Sequence, residues 1–455
     1  MTQPSPLLNF DGLIGPTHNF SGLSPGNIAS LENKDTLSNP KAAALEGLEK
    51  MNLLYQAGLN QAVLPPNERP HIPTLRALGF SGSDKSILNE CAGKYPELIP
   101  SITSAACMFT ANSGTFAPSA DTLDSKVHIT PANLISKLHR AIEAPFTYQI
   151  LKKIFSNESY FTIHNPLPPY RQFSDEGSAN HIRFSKDPYL PGMHLFVYGQ
   201  SALTPNALLP SKFPARQTLE ASQSVARFHK LLEEHIIYAQ QNPRAIDAGV
   251  FHNDVISLGS GLFFMYHEDS FVSTDNLLEQ MQKKSRGLFN APLVECRVNA
   301  SQVSLEDAVA TYLFNSQIAP QPDGNMVFFA PKQCQDNPNT KLFLDSLLQD
   351  PKVPINNVIY INLTQSMRNG GGPACLRFNL SLTPSELLSI HQGVLFSDIR
   401  YKQLKEWINK HYRDMLKTSD LADPELLRET HAALDELTQI LKLGSIYSFQ
   451  KTAET

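Results

Sequence analysis

The chain has 455 residues, of which 41% are apolar and 18% charged, enough for a sizeable core and too apolar for a disordered chain. A formal net charge of -5 argues against nucleic acid or an anionic membrane as partner. Five scattered cysteines without a CxxC pair match a reducing compartment, not a disulfide framework or a zinc cage.

The N-terminus "MTQPSPLLNFDGLIG" has no basic segment followed by an apolar run, and no stretch approaches the ~18 apolar residues of a membrane span. A soluble cytoplasmic protein is therefore expected. In chain order, short apolar strands alternate with amphipathic helices. "QAVLPP" (61–66) is a predicted strand after a helix that Asn39 caps, Pro40 begins and Gly58 ends. "KVHIT" (126–130) predicts a strand running into a helix over "PANLISKLHRAIEA", with Thr130 as N-cap and Pro131 at the first helical position. "MHLFVYG" (193–199) precedes a helix over "ARQTLEASQSVARFHKLLEEH", and "IIYAQQ" (236–241) precedes a short one at "NPRAIDAG". Val255 to Leu258 and Leu262 to Tyr266, around Gly-Ser-Gly, predict a hairpin. "VIYINLT" (358–364) leads to a glycine turn; Gln403 to Met415 and Pro424 to Gly444 read as two C-terminal helices, and residues 451–455 as a frayed tail. This is an α/β chain without segregated halves, and no low-complexity linker marks a domain boundary.

A polar turn recurs after strands: "THNFSG" (17–22), "TANSGT" (110–115), "EGSANH" (176–181), "FHNDVIS" (251–257) and "RNGGGPAC" (368–375). Alone, these five turns are ordinary surface loops; on radially arranged strands they would meet in one pocket. After Cys375, residues Leu376, Phe378, Leu380 and Leu382 alternate with Arg377, Asn379 and Ser381, the period of a half-buried strand with Cys375 as its first residue, on the polar face. A cysteine is more often inert and buried, but here three glycines let the backbone approach a ligand closely. His252 and Asp254 are two apart and, on one strand, would share a face; they are half of a metal site or a hydrogen-bonded pair. Paired with a cysteine, the imidazole could hold a thiol ionised and move protons. Glu176 sits in a turn too polar for a core. His139, Arg140 and Arg216 are ordinary surface residues unless the fold gathers them.

In order along the chain, "NFDGLIGPTHNFSGLSPGN", "NERPHIPTLRALGFSGSD", "APSADTLDSKVH", "DEGSANH", "FPARQT", "AQQNP", "GVFHNDVI", "TYLFNSQ", "NGGGPACLR" and "GSIYSFQK" resemble the N-succinylarginine dihydrolase family, over nearly the whole chain. That family belongs to the guanidine-modifying (pentein) superfamily. The resemblance implies a single domain over 1–455, an α/β propeller of five pseudo-symmetric ββαβ units around a central active site, with C-terminal helices over about 400–444. It implies Cys375 as nucleophile with His252 and Glu176 as the other catalytic residues. It implies substrate contacts from the loop Ser21, Gly22, Leu23, Ser24, Pro25, Gly26, Asn27, Ile28, Ala29 and Ser30, and from Asn112, His139, Arg140, Arg216, Asp254 and Asn369. Ser21 stands where the family carries a small Ala.

The chemistry expected is attack of a thiolate on the guanidinium carbon, with Glu176 and Asp254 binding its N–H groups and an imidazolium of His252 lowering the thiol pKa from about 8.5. Arg140 and Arg216 would clasp the substrate's carboxylates in bidentate fashion. Two rounds would release two ammonia and carbon dioxide and leave N2-succinylornithine, with no metal or organic cofactor. A homodimer is implied, and no nucleic-acid or membrane partner. The rivals are an arginine deiminase or amidinotransferase with the same residues, a metal-dependent guanidine hydrolase, and a binding protein without turnover.

Overall fold

In a computed structural model, which describes residues 7–204 and 208–452, fifteen strands form five separate three-stranded sheets. Every sheet has the same pattern: its first strand runs antiparallel to the second, and a third returns parallel to the second after a helical crossover. Strands β1 (Leu7–Gly12) and β2 (Asn60–Leu64) belong to the sheet that closes the ring. The next sheet holds β3 (Gly114–Ala117), β4 (Val127–Pro131) and β5 (Phe161–Ile163). It is followed by β6 (His181–Phe184), β7 (Met193–Tyr198) and β8 (Ile236–Gln240). Then come β9 (Ser257–Ser260), β10 (Phe263–His267) and β11 (Val294–Val298). The last full unit is β12 (Gln317–Pro320), β13 (Met326–Pro331) and β14 (Ile355–Ile361). Strand β15 (Arg377–Ser381) then pairs with β1, from Leu7↔Ser381 to Asp11↔Arg377, so the two ends of the chain share one sheet. Parallel neighbours need crossovers of a dozen residues or more, and helices such as Pro40–Gln56, Leu219–Phe228 and Thr274–Phe289 supply them. The five ββαβ units are those of the expected propeller.

The helix over Pro40–Gln56 starts as its sequence dictates: the Asn39 side chain accepts from the Ala42 N–H, and Gly58 has φ +91° just past its end. On β15 the apolar face is in the core, with Phe378 fully buried between Phe10 and Phe116, ring centroids 4.8 and 3.8 Å away. That burial is worth roughly 1.5–3 kcal/mol and ties the closing sheet to its neighbour. The helices Asp398–His411 and Pro424–Ile440 pack outside this sheet, where the Trp407 indole N–H donates to the Ala433 carbonyl at 2.8 Å.

Four expectations are corrected. Pro131 ends β4 and does not start a helix; β4 pairs with β5 only through Ile129, so the missing N–H of Pro131 interrupts nothing, and the helices begin at Leu138 and Ala144. The helix after β7 is shorter than its periodicity, Leu219–Phe228 capped by Thr218, because Lys230 turns to φ +52° and Leu231 bridges to Thr122. His252 and Asp254 do not lie on one strand: a 3-10 turn over Asn253–Val255 precedes β9. Cys375 lies in the turn two residues before β15, and a helix, Thr364–Arg368, stands between β14 and the glycines. Of the tail expected over 451–455, Lys451 and Thr452 end a helix Ser448–Thr452, and the rest lies outside the described residues.

The turns obey the pseudo-symmetry. Thr110–Asn112, Gly177–Asn180, Asn253–Val255 and Leu313–Asn315 are 3-10 turns directly ahead of β3, β6, β9 and β12, and Cys375 occupies the corresponding place ahead of β15. The fifth member is thus Leu313–Asn315, whereas Thr17–Gly22 belongs to an excursion after β1.

Candidate active site

Three glycines bring the Cys375 turn against its neighbours. A Cβ on Gly370 would lie 2.1 Å from Asn27 Oδ1, on Gly371 2.0 Å from the Phe109 ring, and on Gly372 2.8 Å from Asn315 Oδ1. Gly370 also has φ +80°. The close approach is therefore to the protein's own side chains. Asn315 gains most from it: its Oδ1 accepts from the Cys375 N–H at 3.0 Å, and its Nδ2 donates to Cys375 Sγ at 3.1 Å.

On the other side the Cys375 thiol donates to Asp254 Oδ2 at 3.4 Å. Burial and the Asp254 carboxylate push the thiol well above its usual value, against the Asn315 and Gly372 donors. Burial likewise raises Asp254 to about 6, and its Oδ1 has no hydrogen-bond partner. The site thus holds a protonated thiol beside an under-used carboxylate.

Glu176 is fully buried and fully engaged. It accepts from Arg140 Nη1 at 2.5 Å, from His252 Nε2 at 2.7 Å and from Ser136 at 2.9 Å. Burial alone would raise its pKa, but the Arg140 charge and the His252 hydrogen bond hold it well below the usual carboxylate range. An ionised carboxylate only accepts, so Nε2 of His252 carries the proton. Burial lowers His252 to about 4 although Glu176 pulls the other way, so the ring is neutral at pH 7 and its partnerless Nδ1 is a bare acceptor. This corrects two expectations: the resting site has no imidazolium, and Glu176 has little capacity left for a second guanidinium.

Cys375 and His252 line a cavity of about 60 Å3 together with Asn112, His139, Arg140, Arg216 and Asn369. Arg216 is sandwiched, 4.8 Å over the Phe251 ring with Nη2 donating to the Pro25 carbonyl, while its Nε has no partner. Burial lowers its pKa to about 10, so it stays charged. Arg140 commits Nη1 to Glu176 and Ser136, while its Nη2 has no hydrogen-bond partner. His139 is pushed down to about 3 by burial and the nearby Arg140 and Arg69 charges, and stays neutral.

The loop divides. Ser21, Gly22, Leu23, Ser24, Asn27 and Ser30 line the cavity, while Pro25 reaches it only through its carbonyl and Gly26 packs near Phe213. Ile28 and Ala29 line a separate groove with Glu32 and Met367. Asn369 donates to the Asn19 carbonyl and accepts from Asn27, locking loop to glycine turn.

The succinylarginine dihydrolase model matches residues 6–450. The chain belongs to that family. It is 52% identical to the N-succinylarginine dihydrolase of Hahella chejuensis over 443 residues, 97% of this chain and 98% of that one. It is also 52% identical to that of Marinobacter nauticus over 442 residues, again 97% and 98%. Among solved structures it is weakly similar to the N-terminal domain of ArgZ, an arginine dihydrolase from cyanobacteria, with 13% identity, TM-score 0.48, and 82% and 98% of the two chains covered.

Two residues of this succinylarginine dihydrolase-family site escaped sequence reasoning. Asn315 stood in "TYLFNSQ", an Asn-Ser pair directly before a strand, which is the theme of the other turns; counting it there would have found it. Phe251, under Arg216, had no signal beyond its adjacency to His252. Among the described residues no three His, Cys, Asp or Glu side chains gather as a metal would require, and no helix is long and apolar enough to cross a membrane.

Proposed function

We propose that this chain hydrolyses the guanidinium of N2-succinylarginine through Cys375, giving N2-succinylornithine, two ammonia and carbon dioxide. The observation that carries the reading is the thiol of Cys375 poised between Asn315 and Asp254, in one cleft with Arg216, whose Nε is free, and with a neutral His252 that donates to the buried Glu176 carboxylate. Membership of the family supports the substrate.

The chemistry starts from neutral partners. A guanidinium entering beside Asp254 fills the vacancy at Oδ1 and secures that carboxylate as an anion. The added positive charge lowers the thiol pKa, and the thiol proton moves to His252 Nδ1, whose imidazolium Glu176 stabilises. The substrate thus completes the activation that the empty site lacks. Sγ attacks the central carbon, and the imidazolium gives its proton to the departing nitrogen, releasing ammonia. Water, deprotonated by the regenerated imidazole, adds to the thiouronium carbon, and the C–S bond breaks to leave a ureido group and the free thiol. In a second round the thiol displaces the second ammonia, and water releases an N-carboxylate that loses carbon dioxide.

Arg216 and Arg140, whose Nη2 has no partner and whose Nε makes no hydrogen bond among the described residues, fit the carboxylates at the other end of the substrate; His139, Asn112, Asn369 and the loop around Ser21 and Asn27 complete the pocket. The cavity of about 60 Å3 has room for a few waters between these groups. The reading includes one domain over the whole chain and a cytoplasmic homodimer, which light scattering would find at twice the 50.5 kDa chain mass.

The deciding experiment counts ammonia per N2-succinylarginine consumed. Two per substrate, abolished in Cys375→Ser and not seen with free arginine, is the expected result. One would make the chain a deiminase, and turnover surviving Cys375→Ser would remove the nucleophile.

A further inference from the structure

Behind the turns lies a second and larger cavity, of about 360 Å3, that shares no lining residue with the first. The layer between them is one residue thick. Asn112, His252 and Cys375 face the front cavity, while their chain neighbours Ala111, Asn253 and Ala374 face the rear one. Asp254, in contact with Cys375 Sγ, also faces the rear. From there the cavity follows the first strand of every unit. Ile182, Arg183 and Ser185 of the β6 segment, Ser257 to Ser260 of β9, and Asn379, Leu380 and Ser381 of β15 line it. At about 3.3 Å per residue, the extended run from Ser257 to Gly261 alone accounts for roughly 13 Å of its length. Its walls are mixed: Phe116, Ile182, Leu258, Phe314 and Leu380 lie among Ser257, Asn379, Ser381 and Arg377, so water has polar partners at intervals along an otherwise partly apolar wall.

We infer that this axial cavity is the path by which water reaches Cys375 and ammonia leaves it while substrate closes the front. The inference rests on the dihydrolase reading, which sets the problem the passage solves. Each round takes in one water and expels one ammonia, yet the ureido intermediate must stay in the front cavity for the second round. Ammonia leaving by the front would have to displace it. At the rear, Asp254 lines the passage while its Oδ2 lies 3.4 Å from Cys375 Sγ, and Ala374 adjoins the thiol in the chain. Arg377, Arg183 and Lys186 line it together with Asp254, and Arg183 is ion-paired with Asp121.

The test narrows the passage without touching the front. Asn379→Phe is compared with the widening Asn379→Ala, and Ser381→Phe, at the outer end, serves if Asn379→Phe does not fold. Substrate, ammonia and N2-succinylcitrulline are measured together. In the bulky variants ammonia per substrate is expected to fall from two toward one, with free N2-succinylcitrulline appearing and kcat lowered several-fold, while Asn379→Ala keeps two. Folded bulky variants that still release two ammonia at wild-type kcat would overturn the passage, and so would Asn379→Ala behaving like Asn379→Phe. Wild type releasing fewer than two would instead defeat the dihydrolase reading, so the two failures are distinct.

Discussion

Asn315 holds both the backbone and the sulfur of Cys375, so its amide fixes where the thiolate sits and stabilises its charge. Asn315→Ala is expected to lower kcat roughly 100-fold, the effect of losing one aimed donor. It should also shift alkylation of the Cys375 peptide by iodoacetamide to higher pH; an unchanged alkylation profile would reduce Asn315 to a packing role. Asp254 makes a separate prediction. Raised to about 6 by burial, it is protonated below that pH and then cannot bind a cation. kcat/KM should therefore fall as pH drops through about 6, and this limb should vanish from the residual activity of Asp254→Asn. Cys375, His252 and Glu176 were named from their motifs. Their protonation was not legible, because it depends on burial and on Arg140, which lies 36 positions from Glu176.

At the level of elements, the glycine turn shows what local sequence can convey. Three glycines ahead of a strand announced a close approach, and the approach is real, but its partners Asn27, Phe109 and Asn315 come from three other segments. Gly370→Ala meets both a positive φ and Asn27, so it should cost about 1–3 kcal/mol in urea unfolding. A change near zero would mean that the Asn27 loop yields freely. Signals confined to one element were legible: Asn39, Pro40 and Gly58 delimit their helix, and the alternation from Leu376 to Leu382 marks β15. Thr130-Pro131 misled because a proline with φ near -65° suits a strand end as well as a first helical turn. Likewise, the polar face of β15 was visible, but that it lines the axial cavity depends on four other sheets.

Across the molecule, buried neutral histidines set the response to acid. His18, His71, His164 and His252 are lowered by burial to about 4 and His139 to about 3, against 6.5 when unfolded. Between these values the unfolded chain binds more protons, so stability present above pH 6.5 is lost as pH falls toward 4. Asp175 and Asp254, raised to about 6, and Glu46, raised to about 7, act in the opposite sense but are fewer. Calorimetry at stepped pH should show Tm dropping over that window with net proton uptake on unfolding; a level Tm would contradict it.

The sheet shared by β1 and β15 also bears on synthesis. A ribosome delivers β1 before the other strands and leaves it without its antiparallel partner until β15, which begins only at Arg377, has emerged. The strand that completes the ring follows directly after Cys375. The reactive thiol therefore reaches Asn315 and Asp254 only after the four full units before it have been made, and no nascent chain that stops short of Cys375 can assemble the site.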